Sequence, residues 1–429
     1  MTAELNATHD PARRSWVEGA NLPGADFPIL NLPFGRFQTA GGAATTGVAL
    51  GDQIIDLSAL GAVLVGSAAE TARAGTTGVL ALLSQPRESL SSLRASLSDL
   101  YRADGEADRG VAEAALRPMA EVEMLLPLRP PGFSDFCCSV DHIRRMAAGA
   151  GKGIAPCAMY LPVGYNSRAS SVAVSGTPLV RPRGQYETRP GSGEVRYGPE
   201  PRLDYELELG VWMRGGNALG QTMTVAEAEA SLFGLCLLND WSARGIQAFE
   251  QLLGPHLGKS ALTTVSPWIV TMEALAPFRV PARGRTDDEP AVPVHLLDPV
   301  DRCTGHFNIL LTADLIISDG QSRPICETNF DVMFWTMAQM VAHQASSGAP
   351  LEPGDLLGSG TISGPTDAAR ACLTERTARG ADPILYDGDI KRVWIEDGDT
   401  IAIRGRAEAP GRVSIGFGEC RGTVLPAMA

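Results

Sequence analysis

Leu203-Asp-Tyr-Glu-Leu-Glu-Leu-Gly-Val-Trp212 decides how this chain is read. Apolar and acidic side chains alternate along it, which is the period of a β-strand with two unlike faces. Leu207 and Leu209 point into one layer, and Glu206 and Glu208 share the other. Two carboxylates so close repel each other, so they need water, a raised pKa or a cation. The spacing leaves a solvent-washed polar face and a cation site both open. Strand-like stretches recur around it, at Ser171-Val-Ala-Val-Ser-Gly176 and Thr400-Ile-Ala-Ile-Arg404, with Gly and Pro as punctuation. Earlier, Gly47-Val-Ala-Leu-Gly-Asp-Gln-Ile-Ile-Asp-Leu57 reads as two short strands turning at Gly51-Asp52.

Helices are expected elsewhere. Over residues 68–122 the leucines fall at spacings of three and four (Leu80, Leu82, Leu83; Leu90, Leu93, Leu97), which predicts helical segments. Further helices are expected over 141–150, over 225–233 behind a Thr224 cap, and over 331–343. The polar stretch 282–292 is expected as an exposed loop. The whole reads as α+β with a β-rich C-terminal body. The proline-rich Leu126-Pro-Leu-Arg-Pro-Pro-Gly132 suggests a joint between domains. Residues 1–15 are expected as a flexible tail, 16–126 as an N-terminal domain and 127–429 as the main body.

Composition narrows the function classes. The chain has 429 residues, of which 44% are hydrophobic and 20% charged, so it is globular and long enough for two or three domains. No apolar run reaches the length of a membrane span. Lys and Arg number 36 against 49 Asp and Glu, for a net charge of −13. An acidic chain without a basic cluster argues against nucleic acid or anionic lipid as partner. The N-terminal MTAELNATHDPARRSW lacks the apolar stretch of a signal peptide, so a cytoplasmic setting is expected. The eight cysteines are scattered without paired CxxC motifs, as expected of reduced thiols.

Two other acidic clusters join the Glu206/Glu208 pair. In Leu235-Cys-Leu-Leu-Asn-Asp-Trp-Ser-Ala-Arg244 an apolar strand ends at Asp240. Such strand ends are where ligand groups sit, yet Asp240 could equally cap a helix beginning near Ser242. In Asp135-Phe-Cys-Cys-Ser-Val-Asp-His142, a helix would put Asp135 and His142 on one face, two turns apart. That pairing suits a metal ligand beside a general base, or merely a cap and a surface histidine. Together Asp135, Glu206, Glu208 and Asp240 make an oxygen-only donor set, which favours Ca²⁺ or Mg²⁺ over zinc. No HExxH occurs. Gly254-Pro-His-Leu-Gly-Lys-Ser260 imitates a P-loop, but its glycines are one residue too close and its proline lacks an amide hydrogen. No GxSxG is present.

Many blocks resemble the fumarylacetoacetase family. They include Leu161-Pro-Val-Gly-Tyr165, Arg168-Ala-Ser-Ser-Val172, Asn239-Asp-Trp-Ser-Ala-Arg-Gly-Ile-Gln247, Leu257-Gly-Lys-Ser260, Thr264-Val-Ser-Pro-Trp268 and Gly354-Asp-Leu-Leu-Gly-Ser-Gly-Thr-Ile-Ser-Gly-Pro365. Asp26-Phe-Pro-Ile-Leu-Asn-Leu-Pro-Phe-Gly35, Gly51-Asp-Gln-Ile-Ile-Asp-Leu57 and the tail from Ile415 to Ala427 match as well. The resemblance runs from about Trp16 to Pro426. It implies an SH3-like barrel domain followed by a β-roll catalytic domain that forms a homodimer. The implied reaction is hydrolysis of a carbon–carbon bond in a small 1,3-diketo acid, at the end of tyrosine catabolism. It further implies Asp135, Glu206, Glu208 and Asp240 as ligands of Ca²⁺ or Mg²⁺, and a second cation near Asp240, Lys259 and Thr263. His142 would be the base, oriented by Glu375. Arg244, Gln247 and Lys259 would face the oxyanion, and Tyr165 and Thr361 the substrate.

The departures from the family pattern lie among substrate contacts. Cys137 and Gln251 stand where tyrosines are expected, and Leu262 where a glycine precedes Thr263. The loop after His142 is shorter, and the family's substrate arginine has no clear counterpart, with Arg144, Arg145 and Lys152 as candidates. A related diketo or β-keto acid is therefore a possible substrate. The same carboxylates could also serve a decarboxylase, isomerase or hydratase, but the His142/Glu375 pair favours water attack. A binding protein without chemistry would have lost a ligand or the base, and none is lost.

Overall fold

A computed structural model describes residues 4–61, 63–105, 109–250, 253–317, 320–386 and 391–429. Its backbone is a thirteen-stranded mixed sheet running through both halves of the chain. The N-terminal ribbon contributes Leu116–Pro118, Gln53–Asp56, Thr45–Leu50 and Phe34–Thr39, in that order. Phe34–Thr39 also pairs with Val122–Leu125 and then, at Phe34 and Gly35, with Trp268–Thr271 of the C-terminal body. From there the sheet continues through Leu232–Asp240, Leu207–Met213, Leu356–Gly358, Phe133–Cys137 and Val163–Asn166. A second sheet, ordered Ser322–Asn329, Ile309–Ile316, Thr400–Ala407, Ile415–Leu425 and Leu179–Val180, supplies the other wall. The α+β, β-rich reading holds. The Gly51-Asp52 hairpin is present, with Gly51 at φ 62, a backbone that favours glycine.

The main core lies between the two sheets. Leu207, Leu209 and Val211 of the alternating strand are fully buried against Ile309, Leu311, Ile401, Ile403 and Phe417. Alternation thus does what the sequence suggests: one face of the Leu207–Met213 strand supplies apolar burial, and the other is free to carry acids.

Several expectations need correction. Residues 4–15 do not behave as a loose tail. Asn6 caps the turn Ala7–His9, His9 Nε2 bonds the Glu273 carbonyl at 2.9 Å, and the buried Arg94 donates to Thr8 Oγ1 at 2.9 Å and to the Asn31 carbonyl at 2.6 Å. The leucine-spaced region does form helices at Gly66–Thr76, Val79–Leu83, Arg87–Tyr101 and Arg109–Ala114, but it ends in the strand Leu116–Pro118. The helix expected over 331–343 is broken into the turn Phe330–Val332 and the helix Met337–Gln344, because Thr336 and Gln339 form a capping box that starts a new helix. The stretch 282–292 is not simply exposed. Its Glu289 is buried and bonded by Arg283 at 2.8 Å, and its Arg285 guanidinium lies over the rings of Phe334 and Trp335 at 3.5 and 4.4 Å. No helix among the described residues is long and apolar enough to cross a membrane.

One buried acid far from the carboxylate cluster makes a stability test. Burial outweighs the bond from Thr336 and raises the Asp301 carboxyl to about 7. The folded chain therefore holds a proton that the unfolded chain releases near pH 4, and stability falls as pH rises from about 4 to 7. Asp301→Asn removes that penalty. At pH 8 it is expected to be more stable than wild type by up to about 4 kcal/mol. The advantage should vanish below pH 4 in urea denaturation.

Candidate active site

The acidic cluster is built where strands end. Asp135 lies on Phe133–Cys137, which runs parallel to Leu356–Gly358 with Asp135 opposite Gly358. Glu208 lies on the strand flanking Leu356–Gly358 on its other side. The two carboxylates meet across the middle strand because that strand has no side chain there. A Cβ at Gly358 would sit 2.3 Å from Asp135 Oδ1 and 3.1 Å from Glu208 Oε2. Gly360, at φ 75, turns the chain so that its amide donates to Glu208 Oε2 at 2.9 Å. Asp240 closes the Leu232–Asp240 strand, and its amide bonds the Glu206 carbonyl at 3.2 Å. Carboxylate oxygens of Asp135, Glu206, Glu208 and Asp240 all lie within 4.8 Å of one another, and all four residues are buried. The solvent-washed alternative for Glu206 and Glu208 is excluded. So is the capping role for Asp240, since the chain after it forms Ser242–Ala243 before the helix Arg244–Glu250.

Cations on this chain balance part of that charge. Lys259 Nζ lies 2.6 Å from both Glu206 Oε2 and Asp240 Oδ2. Arg244 Nη1 lies 2.8 Å from Glu206 Oε1, and its Nε donates to Asp204 Oδ2 at 2.9 Å. Burial pushes the Glu206 carboxyl up, but Lys259 and Arg244 outweigh it and hold the group below the usual carboxylate range. Asp135 and Glu208 lack such partners. Burial and Asp240 push Asp135 well up, and burial and Asp135 do the same to Glu208. Asp135 Oδ1 and Glu208 Oε1 are buried and find no hydrogen-bond partner among the described residues. Tyr165 Oη lies 2.9 Å from Asp135 Oδ2 and 2.9 Å from Asp240 Oδ2, although a phenol has one proton to give. The donor set is all oxygen, clustered, dry and short of positive charge, which fits a hard divalent cation. Lys259 cannot be a ligand through its side chain. Its two carboxylates outweigh burial and raise its pKa, and an ammonium has no lone pair. Thr263 Oγ1 lies 3.2 Å from Asp240 Oδ1.

Beside the cluster stands a histidine–carboxylate pair. Asp135 and His142 do not share a helix as their spacing suggested. The Asp135 strand ends at Cys137, Ser139 accepts the His142 amide at 3.1 Å, and the helix Val140–Gly149 begins there. His142 Nδ1 is 2.5 Å from Glu375 Oε1, on the short helix Leu373–Arg376. Burial pushes the Glu375 carboxyl up, but His142, Ser363 and Arg145 outweigh it and hold it at about 2. Ionised Glu375 is placed to accept a hydrogen bond from the Nδ1–H, which turns Nε2 away from the carboxylate.

A cavity of about 200 Å³ opens beside Lys259, lined by Tyr165, Gln247, Glu250, His256, Gly258 and Lys259. Gln247 Oε1 accepts from Arg244 Nη1 at 3.1 Å. Of the other expected substrate residues, Cys137 is half-buried at its strand end with its thiol pushed well up by burial and Glu206, so it is a poor nucleophile. Thr361 is buried just after Gly360, and Gln251 lies outside the described residues. The candidates for the missing arginine are engaged or remote: Arg144 pairs with Glu289 at 3.2 Å, Arg145 with Glu375 at 3.0 Å, and Lys152 is exposed. The P-loop look-alike is a turn with His256 at φ 59, whose carbonyl accepts the Lys259 amide at 2.9 Å and so aims Lys259.

Sequence reasoning missed Asp204. It accepts the amides of Leu373 and Thr374 at 2.7 and 3.0 Å as well as Arg244 Nε, tying the Glu375 helix to the arginine. The same alternation that marked Glu206 and Glu208 places Asp204 on their face.

Residues 30–127 match the family model described as fumarylacetoacetase N-terminal, and residues 132–425 match that for the fumarylacetoacetate (FAA) hydrolase C-terminal domain. The chain belongs to the fumarylacetoacetase family. It is 39% identical to the fumarylacetoacetase of Oryza sativa subsp. japonica, over 97% of this chain and 98% of that one. The corresponding protein of Caenorhabditis elegans is 38% identical, and that of Homo sapiens 39%, each over 94% of this chain and 97% of the relative. This member of the fumarylacetoacetase family is a hydrolase that acts on a carbon–carbon bond.

Proposed function

We propose that this enzyme hydrolyses fumarylacetoacetate, or a closely related 1,3-diketo acid, to a carboxylic acid and a β-keto acid, with one water consumed. The observation that carries the reading is a dry four-carboxylate cluster, with two oxygens unpartnered among the described residues, beside a histidine bonded to a buried carboxylate. Asp135, Glu206, Glu208 and Asp240 would hold Ca²⁺ or Mg²⁺, with Thr263 and Asp240 near any second ion. When bound, the cation supplies Lewis-acid polarisation of the diketone carbonyls.

The remaining work falls to the chain. Glu375 fixes the His142 tautomer, and Nε2 takes a proton from water as the oxygen attacks the carbonyl carbon. Arg244 Nη2 is buried and without a partner among the described residues, so it is free to face the alkoxide that forms. Lys259 has a third N–H beyond its two carboxylates, and Gln247 and Tyr165 line the same cavity. The His142 proton then goes to the departing carbon, which balances the cleavage. The same family resemblance supports an SH3-like reading of residues 16–126 and a homodimer.

The test is loss of diketone absorbance from fumarylacetoacetate, with fumarate and acetoacetate identified as products. Cleavage should depend on Mg²⁺ or Ca²⁺ and stop with EDTA. Intact substrate with a loaded metal site would sink the assignment and move the search to β-keto acids. A thermal melt gives an independent check on the cluster. A cation at 100 times its Kd should stabilise the protein by about 2.7 kcal/mol. EDTA should reverse the shift, and Asp135→Asn should largely remove it.

A further inference from the structure

Arg145, one of the three candidates for a substrate arginine, is turned to the Glu375 carboxylate. It lies three residues after His142 on the same helix, so both side chains leave the same face. Arg145 Nη1 pairs with Glu375 Oε2 at 3.0 Å, while His142 Nδ1 takes Oε1 at 2.5 Å. Ser363 Oγ donates to Oε1 at 2.6 Å, and Arg145 Nη2 donates to the carbonyl of the next residue, Gly364, at 2.7 Å. The helix thus grips one buried carboxylate at both oxygens and is pinned to the turn that supplies the Ser363 hydroxyl. Without Arg145 the carboxylate would lose its ion pair at Oε2 and be held through Oε1 by His142 and Ser363.

We propose that Arg145 is a positioning residue for the His142/Glu375 pair, fixing the carboxylate that orients the imidazole. The inference rests on His142 being the base. The guanidinium holds Glu375 in the geometry that accepts the Nδ1 hydrogen bond. The other titratable or charged groups near the imidazole are Cys372 on the facing helix, with Asp204 bonded to that helix's amides, Glu206 in the acidic cluster, and Asp141 and Arg144 on its own helix. Arg144 is committed to Glu289.

The experiment compares wild type, Arg145→Met, Arg145→Lys and His142→Ala as cation-loaded enzymes, with circular dichroism to confirm folding. Arg145→Met should lower kcat on the order of 10–100-fold with KM little changed. Arg145→Lys, which keeps the charge beside Glu375, should recover part of kcat. A rise in KM with kcat intact would overturn the proposal in favour of substrate contact. A loss of kcat that Lys does not rescue would overturn it in favour of a purely structural role. An Arg145→Met enzyme that does not fold leaves the decision to Arg145→Lys, and a folded Arg145→Lys enzyme with KM raised and kcat intact would also overturn it. Activity retained in His142→Ala would instead sink the base assignment, so the two failures are distinct.

Discussion

His142→Ala is expected to lower kcat by about 10²–10⁴-fold, the usual contribution of a positioned general base. The size follows from what the side chain is set up to do. Glu375 is held at about 2, so it remains ionised across the working range and accepts the Nδ1 proton at 2.5 Å. Two other groups beside the cluster are poor bases. Lys259 is a buried ammonium between two carboxylates, and Cys137 has a raised pKa. Cation affinity should change little, because the four carboxylates do not include His142. Titration calorimetry with Ca²⁺ or Mg²⁺ beside kcat separates the two. Loss of binding together with rate would mean that His142 builds the cation site rather than activating water.

Lys259→Met is expected to damage both stability and rate. Its ammonium sits 2.6 Å from Glu206 Oε2 and from Asp240 Oδ2, with all three groups buried. Breaking a buried ion pair from one side leaves an uncompensated charge and costs about 3–5 kcal/mol. Arg244 still faces Glu206, but among the described residues Asp240 keeps only Tyr165 and Thr263 as side-chain hydrogen-bond partners. Urea denaturation of the metal-free enzyme should show the full loss. Saturating Mg²⁺ or Ca²⁺ should recover part of it, since added positive charge among the same carboxylates does some of the work of the lysine. The rate should remain depressed by about 10²–10³-fold even then, if Lys259 is the oxyanion donor proposed above. Full rate with saturating cation would show that Lys259 serves the charge balance alone.

The site was legible where it followed from local periodicity. Alternation in the Leu203–Trp212 stretch put Glu206 and Glu208 on one face, and the abrupt end of an apolar run marked Asp240. The helix expected over 141–150 forms, but it starts at the Ser139 cap, so a helix carrying both Asp135 and His142 does not. Asp204 falls on the same alternating face, but the amides that give it a role, those of Leu373 and Thr374, lie 169 and 170 residues away. The partner of Arg145, one of three candidates for a substrate arginine, is Glu375, 230 residues away. The same reason applies to the anchored N-terminal segment, where Asn6 and His9 meet Glu273. Contacts of that range leave no periodic trace. Nor could spacing reveal that Gly358 is bare so that Asp135 and Glu208 can meet across it.

Hydrolysis of fumarylacetoacetate in ¹⁸O-labelled water, under single-turnover conditions with Mg²⁺ or Ca²⁺ present, tests the central claim directly. One labelled oxygen should appear in the carboxylate newly formed on fumarate, and none in acetoacetate. EDTA or His142→Ala should suppress the labelled product. Release of carbon dioxide, isomerised but uncleaved substrate, or label incorporated equally without the cation would contradict water activation by the His142/Glu375 pair beside a cation-holding carboxylate cluster.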